Sequence, residues 1–156
     1  MNTSMIDRFE QGGTKLRESL RGLVDSDLKA FPVPGTWSIQ QLVIHLQDAE
    51  LVAVDRMKRV IAEEKPLLVG FDENKFTEKL EYNRQNVVDA ATVVELARKN
   101  LAIVLRTLPE TAWSRFGIHT ERGKMTLAEI LEVYTNHLER HLKFLYEKRT
   151  ALGKPL

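Results

Sequence analysis

The chain of 156 residues contains no cysteine. Disulfides, thiolate zinc sites and a protein-borne thiol nucleophile are therefore excluded. Long apolar runs are also missing. The longest, Leu51 to Val54 and Leu101 to Leu105, fall far short of the roughly 20 residues that span a bilayer. Nor is there a basic excess: 23 Lys and Arg stand against 22 Asp and Glu, for a formal net charge of +1. Nucleic-acid binders usually carry a basic stripe, and none is visible. The segment Met1 to Arg8 lacks a charged region followed by an apolar core, so no signal peptide and a cytoplasmic location are expected. With 43% hydrophobic and 29% charged residues, the composition is that of a globular protein, and one domain over residues 1–156 is expected.

No alternating strand pattern, repeat or low-complexity segment is visible; helical periodicity is. Ile6, Phe9, Gly13, Leu16, Leu20 and Leu23 recur at spacings of three and four, predicting a helix over about residues 4 to 22. Gly12-Gly13 in its middle either admits a closely packed neighbour or marks a local break. Asp25 to Lys29 can add a short turn. Pro32, Pro34 and Gly35 then interrupt any helix. Ser38 and Gln41 read as a capping box opening a helix over about 38 to 63. Asp72 can cap a short helix through Leu80, and a third long helix runs from about Ala90 to Leu108, where Pro109 stops it. Residues 109 to 125 read as a loop. Thr126 and Glu129 form a second capping box, starting a helix that extends to about Arg149. Four long amphipathic helices with one long connection predict an all-α, up-down-type four-helix bundle.

Chemistry concentrates near the end of the chain. Two of the four histidines, His137 and His141, are spaced i and i+4, which on a helix puts both imidazoles on one side. Such a pair can hold one transition-metal ion, although the neighbouring glutamate is not placed as in the H-E-x-x-H motif. His45 lies at the border of the apolar stripe of a second helix and can supply a third nitrogen. Three neutral imidazoles with an open fourth position is the arrangement of catalytic zinc; the alternative is a set of boundary histidines with local hydrogen bonds. His119 reads as a solvated loop histidine that can approach the same end. Arg56, three turns after His45 on nearly the same side, reads either as a contact to an anionic substrate or as half of a surface ion pair. Tyr134 reads as a core residue. Trp37 and Trp113 pack the ends of the bundle or wall a pocket. Asp48, Glu50, Glu129 and Glu139 are carboxylates near enough in sequence to accept the second N–H of a ligand histidine.

The run Pro34-Gly35-Thr36-Trp37-Ser38-Ile39, followed by His45-Leu46 and the later His137 and His141, resembles the DinB/YfiT-like superfamily over about Gly22 to Arg149. Arg56, Pro66, Asp72, Tyr82 and the His119-Thr120-Glu121-Arg122-Gly123 stretch resemble its YfiT-type branch. The resemblance implies a four-helix bundle, commonly a homodimer. It implies one divalent metal per chain, zinc or nickel, on His45, His137 and His141, with Arg56, Tyr82 and His119 near the substrate. Implied activities are transfer of a low-molecular-weight thiol to a small-molecule electrophile or hydrolysis by metal-activated water; the alternative from a different class is a non-catalytic dimeric metal-binding or stress-response module.

Overall fold

The computed structural model describes residues 3–156, and the four expected long helices form its frame. They are α1 (Thr3–Glu18), α3 (Ile39–Ala62), α5 (Val87–Thr107) and α6 (Leu127–Ala151), with short helices α2 (Asp25–Lys29) and α4 (Glu73–Lys79) in the connections. Both capping boxes form. Ser38 Oγ accepts from the Gln41 amide while Gln41 Oε1 accepts from the Ser38 amide, and Thr126 and Glu129 do the same at α6. Helix α1 stops at Glu18 rather than near residue 22. The Ser19 hydroxyl takes the Leu16 carbonyl, and Leu20 and Arg21 close tighter three-residue turns that lead into Gly22 at φ +76°. Helix α5 starts earlier than expected because the Asn86 side chain accepts from the amides of Val88 and Asp89.

Three short strands lie where the sequence reads as loop. Strand β1 (Leu67–Leu68) pairs parallel with β2 (Phe116–His119), and β2 pairs antiparallel with β3 (Gly123–Thr126). Strands of two to four residues are too short to show alternation, so their pairing is a tertiary event. The sheet closes the side of the bundle where α3 ends and α6 begins.

Chain directions follow from the contacts between helices. Asp7 meets Arg106 and Arg17 meets Glu95, so α1 and α5 are antiparallel. Arg8 meets Glu139 and the Ser19 carbonyl accepts from Arg149, so α1 and α6 are parallel. Thr36 just before α3 meets Lys148, His45 meets His137, and Arg56 meets Tyr134, so α3 and α6 are antiparallel. The four-helix bundle with a long connection is as the sequence implies. Its order is up, down, down, up rather than strict alternation, because residues 63–86 return the chain to the end where α3 began.

Gly13 explains how α1 approaches α5. A Cβ at this position would lie 2.6 Å from Glu95 Cα, so the glycine permits close packing, and α1 runs unbroken through it. At the centre of the bundle Arg98 of α5, 1% exposed, touches all three other long helices. It donates to Glu50 Oε2 on α3 at 2.8 Å, to the Phe9 carbonyl on α1 at 3.0 Å and to the Tyr134 carbonyl on α6 at 2.9 Å. Its guanidinium also lies 4.4 Å from the centre of the Phe9 ring. Apolar clusters lie on both sides of this polar layer.

Candidate metal centre

The antiparallel contact of α3 with α6 places His45 opposite His137 and His141. One ring nitrogen from each residue can be chosen so that all three lie within 4.8 Å of one another. His45 Nε2 and His137 Nε2 are 3.3 Å apart. Tetrahedral nitrogen ligands about 2.05 Å from zinc stand about 3.3 Å apart, so this separation fits a shared ion. His45 is buried and the other two are half-buried.

Electrostatics keeps the rings neutral. Burial, reinforced by mutual repulsion with His141, pushes His45 down to about 4. Burial, then His141 and His45, pushes His137 down to about 3. Burial, then Arg140, brings His141 to about 4. Metal ligands must be deprotonated, and these imidazoles are so at neutral pH. The buried Nδ1 atoms of His45 and His141 have no hydrogen-bond partner in the protein, so the fold itself does not use these nitrogens. The four carboxylates nearby in sequence serve other purposes. Asp48 accepts from the Tyr82 hydroxyl, Glu50 from Arg98, Glu129 from Thr126 and Glu139 from Arg8.

A cavity of about 280 Å³ opens on His45 and His137, with Arg56, Glu73, His119 and Tyr134 among its walls. A second cavity of about 300 Å³ reaches His141 from another side. Val33, Trp37, Leu42 and Phe144 make it apolar, with Lys148 among its polar members. The Trp37 ring lies 4.9 Å from the His45 ring, so Trp37 walls a pocket. Trp113 belongs to the core.

The structure redraws several sequence readings. Arg56 makes no surface ion pair; it is 7% exposed and donates to the Tyr134 hydroxyl and the Val69 carbonyl. His119 is no solvated loop residue but a buried member of β2, its Nδ1 accepting from the amides of Glu121 and Arg122. Tyr134 is the core residue the sequence implies, 8% exposed, and it also lines the cavity. Tyr82 does not: it is 1% exposed and its hydroxyl donates to Asp48 Oδ2 at 2.5 Å. Glu73 is the functional candidate that sequence reasoning missed. Its Oε2 lies 3.7 Å from His45 Nε2, and the only signal was its place just after the Asp72 cap.

Known proteins resemble this chain in sequence and in fold. The family model described as the DinB superfamily matches residues 8–145. A curated relative from Oceanobacillus iheyensis is 27% identical over 88% of this chain and 79% of its own length. Another, from Bacillus subtilis and named "Putative metal-dependent hydrolase YfiT", is 24% identical over 95% of this chain and 84% of its own. The solved structure of YfiT, described as a four-helix bundle of unusual topology, superposes with a TM-score of 0.89 over 96% of this chain and 86% of that one. A mycothiol-dependent maleylpyruvate isomerase shares the fold at a TM-score of 0.71 and 16% identity, with this chain covering 61% of its length.

Proposed function

The chain belongs to the DinB superfamily, and on that premise we propose that it is a metal-dependent enzyme transferring a low-molecular-weight thiol to a small electrophile. His45, His137 and His141 would hold one divalent ion, zinc or nickel. The observation that carries this reading is three neutral imidazoles converging within 4.8 Å at a cavity wall. A structural ion is closed off by four protein ligands, whereas three ligands beside a cavity leave a position for a reactant.

When bound, such an ion supplies a positive charge that lowers the pKa of a thiol or a water beside it. The chain's own residues handle the rest. Glu73, whose Oε2 lies 3.7 Å from His45 Nε2, accepts the S–H proton of the incoming thiol. The sulfur electron pair then forms the new carbon–sulfur bond. The leaving group departs with its bonding electrons and takes the proton back from Glu73. Two cavities of different chemistry flank the histidines, and this supports a reaction between two organic reactants. The absence of cysteine means that the thiol comes from a cosubstrate. A homodimer belongs to the same reading.

Hydrolysis is the second reading, favoured by the names its curated relatives carry. The same geometry would then direct water at an ester or amide. Metal analysis should give about one ion per chain in the wild type and a loss in His137→Ala; equally low metal in both sinks the site. Thiol consumption with an electrophile panel should be abolished by a chelator. A rate indifferent to chelation removes thiol transfer, and chelator-sensitive ester cleavage without thiol favours the hydrolase.

A further inference from the structure

Arg56 is a cation whose burial the fold does not neutralise. It is 7% exposed, and among the described residues no carboxylate lies within 4.0 Å of its guanidinium. Its partners are two neutral oxygens, the Tyr134 hydroxyl and the Val69 carbonyl. Its Nε is buried with no partner at all. Burying a charge without a counter-charge is costly. Arg98, at the bundle centre, is paired with Glu50 at 2.7 Å; Arg149 is buried on two backbone carbonyls at the end of α6, and Arg56 differs from it in facing the cavity that opens on His45 and His137.

The surroundings of Arg56 supply donors. The Tyr134 hydroxyl accepts from Arg56, which leaves its own proton to donate. His119 Nδ1 accepts from two backbone amides at 3.1 and 3.4 Å, so the proton of the neutral ring sits on Nε2. Burial and the charge of Arg56 both push His119 down, keeping that ring neutral. All three residues wall the cavity that opens on His45 and His137, and Tyr134 lies one helical turn before His137. Arg122 and Arg140 add positive charge to this cavity, while Glu73 and Glu121 are its acidic members. Glu121 is exposed and packs beside Gly70; Glu73 stands beside His45.

We propose that Arg56, Tyr134 and His119 form a carboxylate-binding subsite, so that the substrate entering this cavity is an organic acid held with its reacting end towards the three histidines. Arg56 matches a carboxylate in charge and fork geometry. Ala49, Phe71, Met125 and Val133 give the intervening wall its apolar surface, suited to a short carbon chain. The proposal rests on reading this cavity as the substrate chamber, and it names the class of molecule that the chamber takes.

The test uses calorimetric titration of the full chain, metal-free and zinc-loaded, with glutarate and with its uncharged analogue glutaramide. Glutarate should bind at least about 10-fold more tightly than glutaramide to both forms. Arg56→Met, which keeps length without charge, should abolish the preference while zinc stoichiometry stays as in wild type. Tyr134→Phe, which removes a single oxygen, should reduce the preference several-fold and guards against a folding defect in the first variant. Equal binding of acid and amide to wild type overturns the subsite, as does an undiminished preference in both variants. The metal-free arm separates this failure from that of the metal reading. A chain that binds no zinc but prefers the acid loses the enzyme proposal and keeps the subsite. A further pair of reactions tells which reactant brings the acid. If the thiol does, 3-mercaptopropionate outpaces 2-mercaptoethanol towards a neutral electrophile, and Arg56→Met erases that advantage. If the electrophile does, a carboxylated electrophile outpaces its neutral analogue towards 2-mercaptoethanol, and Arg56→Met erases that advantage.

Discussion

Replacing Arg98 with methionine tests the polar centre of the bundle. The substitution removes the 2.7 and 2.8 Å contacts to Glu50 Oε2 and leaves that carboxyl 2% exposed without a counter-charge. Removing one partner of a buried pair typically costs about 3–5 kcal/mol. Against a total stability of about 5–15 kcal/mol, at about 2–4 °C per kcal/mol for a chain of this size, the melting temperature should fall by roughly 6–20 °C. The Phe9 and Tyr134 carbonyls also lose a donor, but both lie inside helices and keep their helical partners. Glu50→Met/Arg98→Met together should therefore recover at least half of the loss, because no charge is left buried. Burial already raises the Glu50 pKa, with Arg98 opposing it; without Arg98 it rises further. A carboxyl raised above its unfolded value binds more protons when folded, so its variant loses stability as pH climbs through the range between the two values. The single variant should accordingly lie closer to wild type at pH 5 than at pH 8. Urea unfolding followed by circular dichroism at both pH values measures all of this. A single-variant cost below about 1 kcal/mol, or a double variant as weak as the sum of both singles, refutes the reasoning.

Further outcomes follow from other contacts. Glu73→Gln should keep the ion and lower the turnover rate by about 10²–10⁴-fold, read as metal content against initial rate. Gly13→Ala drives a methyl to 2.6 Å from Glu95 Cα and should cost about 1–3 kcal/mol in thermal unfolding; an unchanged melting temperature shows that α1 and α5 can separate freely. The Glu95 carboxylate is held down to about 2, first by Lys99 and then by Arg17 and Thr14. Its contribution is full above the ordinary carboxylate range and is lost as pH falls towards about 2. Glu95→Gln should flatten that part of the melting-temperature curve. His45→Ala should weaken zinc affinity by more than about 100-fold, beyond what loss of an outer contact costs, in a competition titration.

The sequence by itself determined the parts of this protein whose physics is local. Helical periodicity and capping boxes such as Ser38–Gln41 depend on residues three and four apart, so α3 and α6 were legible to within a few residues. The i, i+4 pair His137 and His141 was legible for the same reason, and His45 was marked by its place at the border of an apolar stripe. What depends on distant partners was decided only by tertiary structure. The strands were hidden because β1 is ordered by β2, some fifty residues away. The up, down, down, up order follows from which helices pack together. Arg56 reads either as a contact to an anion or as half of a surface ion pair because sequence carries charge but not burial; the fold closes over it, gives it two neutral oxygens and removes the second reading. His119 took its tautomer from a turn that exists only once β2 and β3 pair. Local hydrogen bonding and side-chain period are written residue by residue, whereas desolvation and the partners of a charge are properties of the assembled chain.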